Sequence, residues 1–138
     1  MAHRYLLDTD AVADLVRNPG GPVARMVARH GEDTVCTSVV VAAELRFGAL
    51  RRGSSRLERQ LETVLRALDI FPLEPPADRR YAELRVALER AGTPIGPNDM
   101  LIAAHALALD LVLVTGNLRE FSRVPALSAV NWLTVPSP

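Results

Sequence analysis

"DMLIAAHALALDLVLVTGN", residues 99–117, reads as a helix that runs directly into a strand. Asp99 to Leu109 is rich in Ala and Leu, and Asp99 sits where a carboxylate favours the helix dipole. "LVLVT", residues 111–115, is a short continuous apolar run, which suits a strand covered on both faces. Gly116 and Asn117 then turn the chain. A helix feeding a fully buried strand is the repeating step of a parallel α/β sheet.

The step recurs upstream. Tyr5–Leu7 reads as a strand, and Asp10 or Thr9 can cap a helix carrying Val12, Leu15 and Val16 that stops at "NPGG", residues 18–21. Pro22 to His30 forms a second helix, with proline in its first turn and Gly31 at its end. "TVCTS", residues 34–38, is the second strand. Ser38 opens a helix through "VVVAAELRFGALRRG", although its three valines alone equally suit a continuing strand. "SSRLERQLETVLRAL" places Leu57, Leu61, Val64 and Leu68 on one helical stripe, followed by a brief strand at Ile70–Leu73. Pro75 and Pro76 break the pattern before a helix carrying Tyr81, Leu84, Leu88 and Ala91, closed by Gly92. "GTPIGPN" is a stiff loop, and a last strand is expected through Val130–Leu133. The expectation is one domain, residues 1–138: an α/β/α sandwich around a mostly parallel sheet of about five strands.

Composition narrows the function classes. Apolar residues make up 49% of the chain and charged residues 23%, the balance of a folded protein. No apolar run approaches a bilayer span, and "MAHRYLLD" meets a carboxylate too early for a signal peptide. The single Cys36 excludes an internal disulfide and a thiolate zinc site, and its strand setting suggests a small buried hydrophobe. A cytoplasmic protein is expected. Formal net charge is zero, so the chain lacks the basic excess of a nucleic-acid coat. All sixteen basic residues are arginine, which excludes any chemistry that needs a lysine.

The acids carry the functional signal. In a parallel sheet, ligands bind beyond the carboxyl ends of the strands, near the switch in strand order. Asp8 ends the first strand, with Asp10 two residues on. Glu44 lies about two helical turns beyond Ser38 in an unusually apolar turn, and Asp99 opens the helix before "LVLVT". Thr115, Gly116 and Asn117 end that strand. Each acid has a plain alternative as a turn, cap or solvated helix residue. Together, carboxylates meeting in a desolvated cleft would repel one another, and a divalent cation resolves the conflict. Oxygen ligands without a His or Cys cluster select a hard ion, Mg²⁺ or Mn²⁺. His3, His30 and His105 share no ligand spacing and are expected to be surface or locally bonded residues. A cation held by few protein ligands suits phosphodiester chemistry, where it activates water and orients the phosphate.

"YLLDTD", "TSVVVAAELRFGA", "GTPIGPNDMLIAAHALAL" and "LVLVTGNLREFSRVPALSAVNW" occur in that order over nearly the whole chain. In this the chain resembles the PIN-domain ribonucleases, and within them the VapC-like toxins of toxin–antitoxin pairs. The resemblance implies a PIN-like sandwich and a Mg²⁺- or Mn²⁺-dependent endoribonuclease. Its acidic site maps to Asp8, Glu44 and Asp99, the metal ligands, with Asn117 as the fourth catalytic position. Ser38 and Thr115 would line the pocket, and Asp10 would stand in or behind it. The implied partners are a VapB-like antitoxin, a second copy of the chain in a homodimer (a heterotetramer or larger with antitoxin), and a transfer or ribosomal RNA substrate. Four positions depart from the family pattern. Asp10 stands where many relatives have asparagine, Val41 where close relatives often have threonine, and Gly116 where a polar or acidic residue is common. Asn117 is neutral, and the departures weaken a second metal more than the first. Glu120, three residues on, reads as a surface acid, with an added carboxylate at the site as the alternative.

Between Arg46 and Arg59 there are five arginines against one acid, Glu58. Arg46, Arg51 and Arg52 are candidates for RNA phosphates, with solvated helix faces as the alternative. Two rival functions remain open. "LLDTDAV" also resembles the opening of haloacid-dehalogenase-type phosphatases, but these need a later basic residue, usually lysine, and a further acid pair, both lacking here. A PIN fold that has lost catalysis and binds RNA or antitoxin is the other.

Overall fold

The structure, a computed structural model, describes residues 2–134. Its sheet has five strands: β1 (Tyr5–Leu7), β2 (Val35–Ser38), β3 (Asp69–Phe71), β4 (Val112–Val114) and β5 (Ala129–Val130). They run in the order β3-β2-β1-β4-β5, and every pairing is parallel. The chain therefore builds outward from β1 in one direction, then crosses back to add β4 and β5 on its other side. The switch point falls between β1 and β4, where Leu7 pairs with Val114.

Seven helices flank the sheet: α1 (Thr9–Arg17), α2 (Pro22–His30), α3 (Val39–Arg52), α4 (Ser55–Ala67), α5 (Ala77–Ala91), α6 (Pro97–Leu109) and the short α7 (Leu118–Phe121). Helices α1 to α4 pack among themselves, α5 packs on α6, and α3 touches α6. Leu6, Leu7, Leu113 and Val114 have no exposed surface, as expected of central strands covered on both faces. Helix α6 is buried at Met100 and from Ile102 through Ala106 because small Ala side chains let it lie close to its neighbours. Cys36 is fully buried, its thiol donates to the Tyr5 carbonyl at 3.4 Å, and burial pushes its pKa up to about 12. It is an inert core residue.

Local departures from the sequence expectations have local causes. Neither Asp10 nor Thr9 caps α1. Asp8 is the N-cap residue, with an extended backbone and its carbonyl accepting from Val12 N at 3.0 Å, so strand and helix share a boundary with no loop. Ser38 does cap α3, its hydroxyl accepting from Val40 N at 3.0 Å, which ends the strand before the three valines. Helix α6 begins at Pro97, because proline fits a first turn that has no need of its N–H. Strand β3 is Asp69–Phe71, one residue earlier at its start than expected and two at its end. Strand β5 is Ala129–Val130 and does not extend to Leu133; the Leu133 amide turns back to Asn131 Oδ1 at 2.8 Å. Among the described residues no helix is long and apolar enough to cross a membrane.

Candidate functional site

Because β1 and β4 are neighbours in register, the residues that follow them are neighbours too. The Asp8 amide donates to the Val114 carbonyl at 2.8 Å, and the Thr115 hydroxyl donates to Asp8 Oδ2 at 2.8 Å. Thr115 Oγ1 in turn accepts from the Asn117 amide at 3.0 Å, so one buried hydroxyl shapes the turn and aims the carboxylate. Asp8 is only 5% exposed, and its second oxygen, Oδ1, is buried without a hydrogen-bond partner. Burial raises the Asp8 pKa to about 6, despite the opposing Thr115 bond, and the Asp10 and Glu44 charges push the same way.

Glu44 arrives from α3, held by groups that adjoin the other acids. Thr9, next to Asp8, donates to Glu44 Oε1 at 2.9 Å, and Asn98, next to Asp99, reaches Oε2 at 3.2 Å. Asp99 lies in the first turn of α6. Its pKa is raised to about 7, first by burial, then by contact with the Glu120 carboxylate and the charges of Asp8 and Glu44. The two carboxyls oppose each other's charge, and Asp99 is the partner pushed toward its neutral form. Glu120 goes the other way, lowered chiefly by the hydrogen bond from Asp99. Its Oε1 accepts from the Gly96 amide at 3.2 Å and its Oε2 from Asn117 Nδ2 at 2.7 Å.

Asp8, Glu44, Asp99, Thr115 and Asn117 thus meet at the carboxyl edge of β1 and β4. Among the described residues no three His, Cys, Asp or Glu side chains enclose an ion as they stand. The donor set nevertheless fits a hard cation: carboxylate oxygens, one of them buried and unpartnered, with pKa values raised partly by their own proximity.

A profile of the family described as "PIN domain" matches residues 5–127. The chain is 37% identical over 134 residues to Ribonuclease VapC2 of Haemophilus influenzae, covering 94% of this chain and 98% of that protein. It is 33% identical over 132 residues to the tRNA(fMet)-specific endonuclease VapC of Salmonella typhimurium, with coverage of 94% and 98%. The crystal structure of VapBC2 from Rickettsia felis, bound to a DNA fragment from their promoter, contains a chain that superimposes with a TM-score of 0.85 at 32% identity, covering 96% of this chain and 99% of that one. The chain belongs to the PIN-domain family, in its VapC group.

Within this PIN domain, the remaining expected positions divide. Asp10 does not join the acid cluster through its paired oxygen, since Oδ2 accepts from the Gly116 amide at 2.8 Å. Gly116 is what lets the carboxylate approach: a Cβ there would stand 2.7 Å from Asp10 Oδ2 and 2.6 Å from Leu133 Cδ1. Two of the departures from the family pattern therefore touch each other. Asp10 Oδ1 is buried without a partner, and burial raises the pKa of the group. Val41 is fully buried in the core. Ser38 has no free hydroxyl to present, because Oγ is engaged by Val40 N and, at 2.7 Å, by His105 Nδ1.

The histidine expectation holds at His3, which meets Asp69 on an exposed edge at 2.7 Å, and fails at His105, which is buried and bonded to a residue 67 positions away. His30 is half-buried, with Tyr5 Oη 3.4 Å from its Nδ1. Glu120 is no plain surface acid: it meets Asn117, a contact that their spacing of three could have suggested, and it is the partner of Asp99, which no spacing suggests. Of the candidate phosphate contacts, Arg46 is occupied by Glu62 at 2.7 Å, with Arg66 on the other oxygen at 3.6 Å. Arg51 and Arg52 are exposed. Arg52 lines a groove of about 220 Å³ together with Arg17 and Glu44, over Leu45, Leu57 and Leu61. Arg17 escaped notice in the sequence because it lies alone, 35 residues before Arg52.

Proposed function

We propose that this chain is a divalent-cation-dependent endoribonuclease and the toxin of a toxin–antitoxin pair. The observation that carries this reading is the unpartnered Asp8 Oδ1 at the switch point of the sheet, facing a cluster that Glu44 and Asp99 complete. Asp8, Asp99 and Glu44 would hold Mg²⁺ or Mn²⁺, with Asn117 beside them and Glu120 as an added carboxylate. When bound, such a cation neutralises charge at the scissile phosphodiester and promotes attack by water.

The chain's own residues prepare that site. Thr115 occupies Asp8 Oδ2 and leaves Oδ1 for the ligand. Thr9 and Asn98 fix both oxygens of Glu44, which costs the side chain its rotamer freedom before any ligand arrives. Asp99, pushed toward its neutral form by burial and by Glu120, would have to be charged to serve as a cation ligand. Arg52 and Arg17, on the groove that Glu44 also lines, would provide positive charge for RNA phosphates near the acids.

The names of the relatives support an RNA substrate, of the transfer or ribosomal class, and the VapBC complexes support an antitoxin partner. On α3, Val39, Phe47 and Leu50 form an exposed apolar row on one helical face, Phe47 at 63% and Leu50 at 67% exposure, which supports self-association as a homodimer.

Purified protein free of antitoxin is expected to cleave transfer or ribosomal RNA with Mg²⁺ or Mn²⁺ and to stop with EDTA. Mn²⁺ should also raise the melting temperature of the wild type, since a ligand bound only to the native state stabilises it. No cleavage of any RNA with any divalent metal, together with retained RNA or antitoxin binding, would turn the reading to a binding module. A covalent phosphoenzyme would turn it to a phosphatase.

A further inference from the structure

Among the described residues, three buried side-chain polar atoms lack a partner: Asp8 Oδ1, Asp10 Oδ1 and His105 Nε2. Two belong to the acids. The third does not, and no step above uses it. His105 lies on α6, six residues beyond Asp99, and is 1% exposed. Its Nδ1 is 2.7 Å from Ser38 Oγ, the last residue of β2 and the cap of α3.

The proton positions follow from counting. Ser38 Oγ already accepts from the Val40 amide. If Nδ1 also donated to it, the serine hydroxyl hydrogen would be buried with no acceptor, since among the described residues Ser38 makes no other side-chain hydrogen bond. If Nδ1 accepts, the hydroxyl donates to the ring and every group on that side is satisfied. The ring proton then rests on Nε2, where the Pro72 carbonyl bears on the ring without completing a hydrogen bond. Burial lowers the His105 pKa, in keeping with a neutral ring.

We infer that His105 is a positioning residue: by accepting from Ser38 it locks α6, which carries Asp99, to the first turn of α3, which carries Glu44. The bond between them is fully buried. Asn98 to Glu44 is the only other side-chain hydrogen bond between α3 and α6 among the described residues, and it is exposed. Without the buried lock, the spacing of Glu44 from Asp99 rests on that exposed bond and on apolar packing, which resists sliding less than a directed bond does. The inference rests on the reading of these acids as the working site.

Two measurements test it. In nitrogen-15 spectra of the metal-free wild type at neutral pH, the His105 ring should show an unprotonated Nδ1 and a protonated Nε2. Ser38→Ala should release that single tautomer, while Ser38→Thr should keep it. In single-turnover RNA cleavage, Ser38→Ala and His105→Leu should each lose about tenfold, and the double variant should lose no more than about twofold beyond the worse single, as expected when two residues act as one unit. Ser38→Thr should stay within about threefold of wild type. A protonated Nδ1 in the wild type, or losses that multiply in the double variant, overturns the inference. If the wild type cleaves no RNA, the proposed activity fails, and the tautomer with its response to Ser38→Ala and Ser38→Thr still decides this one. Should His105→Leu not fold, the two Ser38 variants carry the test.

Discussion

Asp8 and Asp14 are equally buried, each 5% exposed, and lie six residues apart at the two ends of one helical segment. Asp14 is complete. Its Oδ1 accepts from Asn18 Nδ2 at 2.8 Å and its Oδ2 from the Val23 amide at 3.4 Å, so it ties the end of α1 to the start of α2. Asp8 is half complete, with Thr115 on one oxygen and nothing on the other. A buried carboxylate costs several kcal/mol unless its lone pairs are met. The fold meets that cost at Asp14 with its own amides. At Asp8 it leaves the cost standing and crowds further acids nearby. A buried acid that is satisfied is structure; one left short, among its like, is a place for a ligand.

The sharpest way to break the contrast is activity. Asp8→Asn and Asp99→Asn are each expected to reduce RNA cleavage at least a hundredfold, roughly the scale seen when a principal electrostatic group is lost from an active site. Asp14→Ala should leave cleavage per folded molecule near wild type. Equal losses at Asp8 and Asp14, measured on folded protein at saturating metal, would erase the distinction.

Stability should separate them with opposite signs. For Asp8 the native pKa of about 6 lies above the ordinary 3.8, so the native state binds the extra proton and charging it at higher pH costs stability. Urea unfolding of metal-free Asp8→Asn at pH 8 should show a gain on the order of 2–3 kcal/mol, at about 1.4 kcal/mol per pKa unit. Asp14→Ala should lose about 1–3 kcal/mol, because it strands the Val23 amide and the Asn18 side chain.

The same sign gives a pH profile. The contribution of Asp8 and Asp99 is fully present below pH 3.8 and is lost as pH rises through about 6 for Asp8 and about 7 for Asp99. Metal-free wild type should therefore lose stability relative to Asp8→Asn between pH 4 and 6, then run parallel to it. Added Mn²⁺ should restore more at pH 8 than at pH 5.5, where protons compete for the same oxygens. A difference curve that is flat in pH would show that the acids are not in conflict.

The smallest effect carries the contrast to the arginines. Arg46 is satisfied by Glu62 on an exposed face, so Arg46→Ala should change stability by less than about 1 kcal/mol and cleavage hardly at all. Arg52 has no carboxylate partner among the described residues and stands on the groove with Glu44. Arg52→Ala should weaken RNA binding several-fold at low salt and less at high salt.

Much of this was legible from the chain alone. "LVLVT" and "YLL" announce themselves as buried strands because a central parallel strand needs apolar side chains on both faces. Ser38 announces the start of α3 against three valines because its hydroxyl can meet an amide that valine cannot. Asp8 and Asp99 stand out since one follows and the other opens an element whose end a parallel sheet brings to one edge, and Glu44 stands out as a charge in an apolar turn of α3. Three things were not legible. Asp8 and Asp10 look alike in "LLDTD", and only the register of β1 on β4 assigns one to Thr115 and the other to the Gly116 amide. The partnership of Asp99 with Glu120 spans two elements. His105 looked like a surface residue because nothing in "AAHAL" reveals that 67 residues earlier a serine hydroxyl waits for an acceptor.

By itself, then, the sequence determined an α/β domain of parallel strands, the absence of lysine chemistry and the set of acids from which a hard-cation site is proposed. Those follow from side-chain chemistry and from periodicities of a few residues, which are local. The tertiary structure alone decided which oxygens are spent and which are free. Satisfaction of a buried polar atom depends on partners brought from distant strands and helices, and no spacing along the chain encodes it.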